Sequence, residues 1–259
     1  MQFEGSRIAF HLFGIPVYWY AILLVTGMIV AIYGASKLYK KIGGDEEVVF
    51  DLSLWILPIS IIGARAYYVI FEWDQYAGDL MKMIDIRSGG LAIHGGVIAG
   101  VLVGYIFTKK KKLKFFPIAD VIMTFLPLAQ AIGRWGNFIN NEAHGGPTDL
   151  PWGVIIDGQK YHPTFLYESL GNIIIFFFLL YFFNNKQKRY GQTSALYLIL
   201  YGVLRFFVEG LRTDSLWWGP IRVAQLVSLI FIILGIVFFI IQARKYKDQD
   251  LPVQENLSK

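Results

Sequence analysis

Residues 133–142 read Gly133-Arg134-Trp135-Gly136-Asn137-Phe138-Ile139-Asn140-Asn141-Glu142 and close an almost uncharged run that begins near Pro117. On a helix, Arg134, Asn137 and Asn141 are spaced i, i+3 and i+7 and share a face. Tyr201, Arg205, Glu209 and Arg212, at i, i+4, i+8 and i+11, form a second stripe in another apolar run. His94 stands alone among glycines in Gly89-Gly90-Leu91-Ala92-Ile93-His94-Gly95-Gly96. Glu168 follows Tyr161-His162-Pro163-Thr164 at the start of a further run. An arginine deep in hydrocarbon costs roughly 2.5–3.5 kcal/mol on insertion scales. A chain that accepts this cost usually turns the charge into a wet cavity that holds a ligand. A guanidinium with amide donors suits an oxyanion, because its planar fork matches phosphate or carboxylate. Each feature also has a bland reading. Arg134 can snorkel to the interface above a helix-ending asparagine cluster. Arg205 and Glu209 can simply neutralise each other, and His94 can be a satisfied core side chain. The partner of Glu168 is expected to be an arginine, which the spacing does not identify. Taken together, the groups imply a polar cavity at one end of a helical bundle, sized for an anionic headgroup.

The elements that carry these groups are membrane helices. The chain has 259 residues, 55% hydrophobic and 17% aromatic, with its apolar residues in long continuous runs. Continuous runs, unlike alternating ones, predict helices and not a barrel. Seven segments are long enough to span: residues 17–36, 48–71, 89–108, 116–138, 164–183, 193–210 and 221–242. Fifteen lysines and arginines fall in one set of connections and five in the other. The rule that positive charge stays inside then places the N-terminus outside and the C-terminus in the cytoplasm. The expected fold is an all-α integral membrane protein forming one polytopic domain over 1–259. Residues 139–163, rich in turn signals, form a small extracytoplasmic cap with short strands near Trp152–Tyr161. Residues up to about 16 do not read as a cleavable signal and are expected to lie at the interface. The tail beyond Tyr246 is polar and loose. Gly96, Gly100 and Gly104 read as helix packing. There is no cysteine, which excludes disulfides, thiolate metal sites and a cysteine nucleophile of the protein's own. The four histidines lack metal-ligand spacing, and the formal charge of +5 is explained by orientation and not by nucleic acid.

With these residues assembled, the chain resembles the bacterial phosphatidylglycerol–prolipoprotein diacylglyceryl transferases over nearly its whole length. The Gly133–Glu142 run carries the resemblance. Gly90–Gly96, His162–Glu168 and the Tyr201, Arg205, Glu209, Arg212 stripe support it in the same order. The resemblance implies a seven-helix inner-membrane enzyme with its site toward the outer leaflet. Such an enzyme moves the diacylglyceryl group of phosphatidylglycerol onto the lipobox cysteine of a prolipoprotein and releases glycerol 1-phosphate. It implies His94, Arg134 and Arg205 as catalytic, and Tyr20, Asn137, Glu142, Tyr201, Glu209 and Arg212 as substrate-binding. The chemistry fits these types. The phosphate leaves as a monoester, so charge grows on oxygen, and paired arginines stabilise that growth. A thiol near pKa 8.5 can lose its proton to a histidine near 6.5 at a cost of about 2.7 kcal/mol, which makes His94 the candidate base; the competing view makes the arginine field the activator, with His94 only positioning lipid. No metal or organic cofactor is expected, since the lipid brings its leaving group. A lipid or anionic-solute transporter or flippase is the alternative, and it predicts charged groups accessible from both faces. A rhomboid-type protease would need a Gly-x-Ser-Gly-like turn near a histidine, and the sequence has none.

Overall fold

The structure, a computed structural model, describes residues 1–2, 5–86 and 89–245, with side chains through Gln242. The polar tail beyond Lys245 and Arg87 of the orientation count lie outside the described residues. A hairpin of β1 (Ile8–Leu12) and β2 (Ile15–Tyr18) opens the chain. Seven long helices follow in sequence: α1 (Trp19–Lys41), α2 (Glu47–Phe71), α5 (Ile93–Lys110), α6 (Phe115–Asn140), α7 (Thr164–Asn185), α8 (Gln192–Leu211) and α9 (Val223–Lys245). Two short helices, α3 (Trp73–Tyr76) and α4 (Leu80–Ile84), lie between α2 and α5. Two further hairpins complete the described fold. β3 (Val154–Ile156) pairs with β4 (Gln159–Tyr161), within the stretch expected to hold short strands. β5 (Trp217–Trp218) pairs with β6 (Ile221–Arg222) between α8 and α9.

Six of the long helices have the length and apolar composition to cross a membrane. α5 is not among them. Its 18 residues include His94, four glycines and the pair Lys109–Lys110, which lower its hydropathy. The fold is therefore mostly helical and of membrane type, as the apolar runs predict.

Several boundaries differ from the expected ones, three of them for a clear local reason. The first helix begins at Trp19 because Ile15–Tyr18 is tied to Ile8–Leu12 as a β-ribbon. The third begins at Ile93, not Gly89, because Gly89 (φ +86°) and Gly90 (φ +72°) take left-handed conformations that end helical propagation. The fourth stops at Asn140, and Asn141 caps it in the left-handed region at φ 52°. Asn141 therefore leaves the stripe of Arg134 and Asn137 that the i+7 spacing assigned to it, and its Oδ1 is buried without a partner among the described residues.

Packing is set by pairs of helices: α1 against α6, α2 against α5, α6 against α7, α7 against α8, and α8 against α9. Gly96 and Gly100 of α5 face Ser60, where an added Cβ would come within 3.2 and 3.0 Å. They act as the packing surface that their spacing suggested. The largest buried cluster, with Leu52, Ile118 and Val121 almost fully enclosed, joins α1, α2 and α6 at the lysine-rich end. At that end Asp120 of α6 is 0% exposed. It accepts hydrogen bonds from Gln187 Nε2 (2.6 Å), Gly191 N (2.6 Å), Ser194 N (2.8 Å) and Ser194 Oγ (2.6 Å). One carboxylate thus caps the start of α8 from another helix.

Candidate active site

α6, α7 and α8 bring their charged groups together at the opposite end of the bundle. The α6–α7 contact is fixed by Trp135, whose Nε1 donates to Ser169 Oγ (3.2 Å), and by Ser169, which donates to the Ala131 carbonyl (3.0 Å). Phe165 stacks on Phe138 with centroids 4.8 Å apart. This registration sets Glu168 on α7 level with Arg134 on α6. Arg134 Nε pairs with Glu168 Oε2, and Arg205 Nη1 of α8 pairs with Glu168 Oε1. Glu168 is 3% exposed, while the Arg134 and Arg205 side chains keep 24% and 20% of their surface. The two guanidiniums therefore converge on one buried carboxylate and retain an open side.

Arg205 also reaches along its own helix. Its Nη2 lies 2.6 Å from Glu209 Oε2, and Glu209 is 2% exposed. Arg212, just past the end of α8, approaches the same oxygen at 4.0 Å and grips Asp214 with two hydrogen bonds of 2.9 and 2.7 Å. Burial alone would raise the Asp214 carboxyl; the bidentate bonds and charge of Arg212 outweigh it and hold the group below its usual range. Arg222 donates to the Glu209 carbonyl and lies 5.0 Å from the Trp217 ring centroid, so it ties the β5–β6 hairpin to the end of α8.

The amides of the 133–142 run form the rim. Arg134 Nη1 approaches Asn137 Oδ1 at 3.4 Å. Asn137 Nδ2 donates to Glu142 Oε1 at 3.0 Å, and Asn140 Nδ2 joins it at 3.3 Å. Glu142 thus fixes the asparagine whose oxygen faces the arginine. Tyr20 packs directly on Gly136, where any Cβ would collide with its ring, which places the start of α1 against the motif helix. Tyr201 sits one turn before Arg205 and stacks on Tyr197 at 5.5 Å; Tyr197 receives a hydrogen bond from Gln130 at 2.9 Å.

His94 stands apart. It occupies the second residue of α5, is exposed, and has its ring centroid 6.2 Å from that of Tyr67. Among the described residues it makes no hydrogen bond or ion pair with the arginine cluster. The segment that leads to it is held by Arg65, which is 5% exposed. Arg65 donates to the carbonyls of Lys82 (2.6 Å), Met83 (2.9 Å), Gly89 (2.7 Å) and Gly90 (2.9 Å) and lies 4.9 Å from the Tyr76 ring centroid. Arg65 thus clamps the connection that leads into α5. Asp120 at the far end is saturated by the donors above.

Two features escaped the spacing analysis. Glu168 has the arginine partner expected of it, but that it joins two arginines and is the hub of the cluster was not visible from its spacing. Arg222 falls inside the expected span 221–242, and its tie to Glu209 depends on a hairpin that two tryptophans and a glycine barely announce. Elsewhere, an apolar cavity of about 180 Å³ between α1, α2 and α6 is lined by Met28, Ala35, Leu52, Ile56 and Leu126, a surface for hydrocarbon.

The profile of the family described as prolipoprotein diacylglyceryl transferase matches residues 7–241. A protein of Finegoldia magna named phosphatidylglycerol–prolipoprotein diacylglyceryl transferase is 55% identical over 250 residues, which cover 96% of this chain and 99% of that protein. Proteins with the same name from Clostridioides difficile and Bacillus cereus are 51% and 44% identical. Those matches cover 94% and 97% of this chain, and 98% and 97% of the respective relatives.

Proposed function

The chain belongs to the prolipoprotein diacylglyceryl transferase family, and from that membership we propose how its site performs the transfer. The protein is a membrane transferase whose substrates are phosphatidylglycerol and a prolipoprotein. In the proposed reaction the acceptor is the thiol of the lipobox cysteine. Its proton goes to a base, and its sulfur attacks the glyceryl carbon that bears the phosphate. The carbon–oxygen bond breaks, and its electron pair leaves on glycerol 1-phosphate. The product is a thioether.

The convergence of Arg134 and Arg205 on one point carries this reading. A diester with one negative charge becomes a monoester approaching two, so donors aimed at phosphate oxygens stabilise the transition state more than the ground state. Arg134 and Arg205 grip the phosphate. Asn137, held by Glu142, and Tyr201 add hydrogen bonds at the rim. Glu209 and Arg212 fix Arg205 and the end of α8. Tyr20 bounds the site on the α1 side. His94, exposed at the start of α5, takes the thiol proton from a peptide that bridges it to the lipid.

In this reading all seven long helices cross the bacterial inner membrane, α5 included because it packs along α2. The N-terminus and a cap built on β3–β4 lie outside, the lysine-rich connections lie in the cytoplasm, and the site opens to the outer leaflet. The cavity between α1, α2 and α6 takes hydrocarbon. A flippase is disfavoured because Asp120, the buried charge at the other end, has every donor it needs within the protein. The test mixes purified protein with radiolabelled phosphatidylglycerol and a lipobox peptide or its Cys→Ser version. Label should pass to the thiol peptide alone. Movement of label between leaflets without peptide labelling would overturn the reading.

A further inference from the structure

Glu168 has no task in the chemistry above, yet it holds the seat where that chemistry needs an oxyanion. Its carboxylate is buried on α7 between α6 and α8, with one oxygen on each arginine. Carboxylate and phosphate meet a guanidinium through the same planar fork of parallel N–H donors. Glu168 occupies Arg134 Nε and Arg205 Nη1, so a phosphate that sits between the two guanidiniums competes with it for those donors, whatever it also gains on their open side. The other carboxylates are differently placed. Glu209 engages Arg205 from within α8, and Glu142 serves Asn137 and Asn140.

We propose that Glu168 is an exchangeable counter-ion that fills the anion seat, yields guanidinium edges to the arriving phosphate and reclaims them as the phosphomonoester leaves. The proposal rests on the reading that these arginines take the lipid phosphate, and it concerns a positioning residue that acts through them. In the empty site, Arg134, Arg205 and Arg212 face Glu168, Glu209 and Asp214, three cations against three anions. A diester adds one negative charge and a free monoester close to two. Repulsion from a carboxylate a few ångströms away grows with the charge on the phosphate. It weighs most on the completed product, less on the transition state where charge is part-grown, and least on the substrate. Glu168 thereby keeps two preorganised arginines from becoming a trap for the dianion they create.

The test uses the full-length protein in lipid nanodiscs and glycerol 1-phosphate as probe. Glu168→Gln keeps the shape and removes the charge. It should bind glycerol 1-phosphate about tenfold more tightly, a change of about 1.4 kcal/mol. Its first turnover should persist while later turnovers slow, so that peptide labelling shows a burst. A residue that only props up the arginines would, when changed, weaken product binding together with activity. Unchanged or weaker affinity in Glu168→Gln overturns the proposal. If that variant does not fold, Glu168→Ala, which also removes the charge, must show the same tightening, and the proposal falls if it does not. Should the native protein neither transfer lipid nor bind glycerol 1-phosphate, the assignment of the arginines fails and takes the inference with it. Native transfer with no tightening in either variant sinks the inference alone.

Discussion

Replacing Arg205 by lysine keeps the charge and removes the fork, so it isolates geometry. Two nitrogens of Arg205 serve two carboxylates: Nη1 pairs with Glu168, and Nη2 lies 2.6 Å from Glu209. Both carboxylates are at most 3% exposed, so water cannot replace a lost partner. A lysine ends in a single ammonium, which can satisfy one of them or reach the phosphate, but cannot keep Glu209 on one edge while presenting the other in the same plane to Glu168 or the ligand. The minimum loss is one charge-assisted hydrogen bond, about 1.5–3 kcal/mol. Expressed in the transition state at about 1.36 kcal/mol per tenfold, this lowers turnover about 10- to 160-fold. Removing a partner from a buried pair outright costs about 3–5 kcal/mol, so Arg205→Gln should lose more and should also unfold earlier. Initial rates of label transfer from phosphatidylglycerol to a thiol peptide measure the first quantity. Thermal unfolding in the same detergent measures the second. If Arg205→Lys turns over within about threefold of the native protein, bidentate recognition is wrong and a point charge suffices.

His94→Gln should lower transfer at pH 7 by about 10²- to 10⁴-fold, the usual worth of a general base. Its residual rate should rise toward pH 8.5 as the thiol ionises unaided, and near-native transfer across pH would remove the histidine from the role. Asp120→Asn turns an amide NH₂ toward donors that now point at the carboxylate. Each donor left unsatisfied costs about 1–3 kcal/mol, so the unfolding midpoint should fall although the site lies at the other end; an unchanged midpoint would refute the capping account. Asp214 has a folded-state pKa held below its unfolded value near 3.9, so its pairing with Arg212 contributes stability above about pH 4 and loses it as pH falls through the lower folded value. Half-exposure screens the pair, so Asp214→Asn should cost well under about 1 kcal/mol at neutral pH and reduce the acid sensitivity of unfolding below pH 4. A larger change at pH 7 than at pH 3 is the expected sign, and the reverse would contradict the pairing.

What spacing made legible here is what one helix decides alone. The Arg205–Glu209 pair follows from i, i+4 on an apolar run, and the structure keeps it. The small-residue surface of α5 was equally readable, because Gly96 and Gly100 need only their own period to share a face. Failures begin where a helix stops. Asn141 shares a face with Arg134 only if the helix continues, and a left-handed asparagine ends it one residue earlier. Gly89 and Gly90 count as apolar filler by composition, yet their positive φ turns them into a loop whose carbonyls Arg65 collects. The hub of the site was hidden for a different reason: it joins three helices, and no period within one helix encodes its neighbours. A trace of it was nevertheless present. Arg134 has Gln130, Ala131, Asn137 and Phe138 at its i±3 and i±4 positions, and Glu168 has Thr164, Phe165, Gly171 and Asn172. Neither finds an opposite charge on its own helix. In a medium where an unpaired ion costs several kilocalories, two such unmatched charges at the same end of consecutive antiparallel helices are driven to meet each other or a ligand. The structure has them meet each other, with Arg205 as a third party. That is why the same geometry that stabilises the empty bundle also leaves its cations arranged for a phosphate.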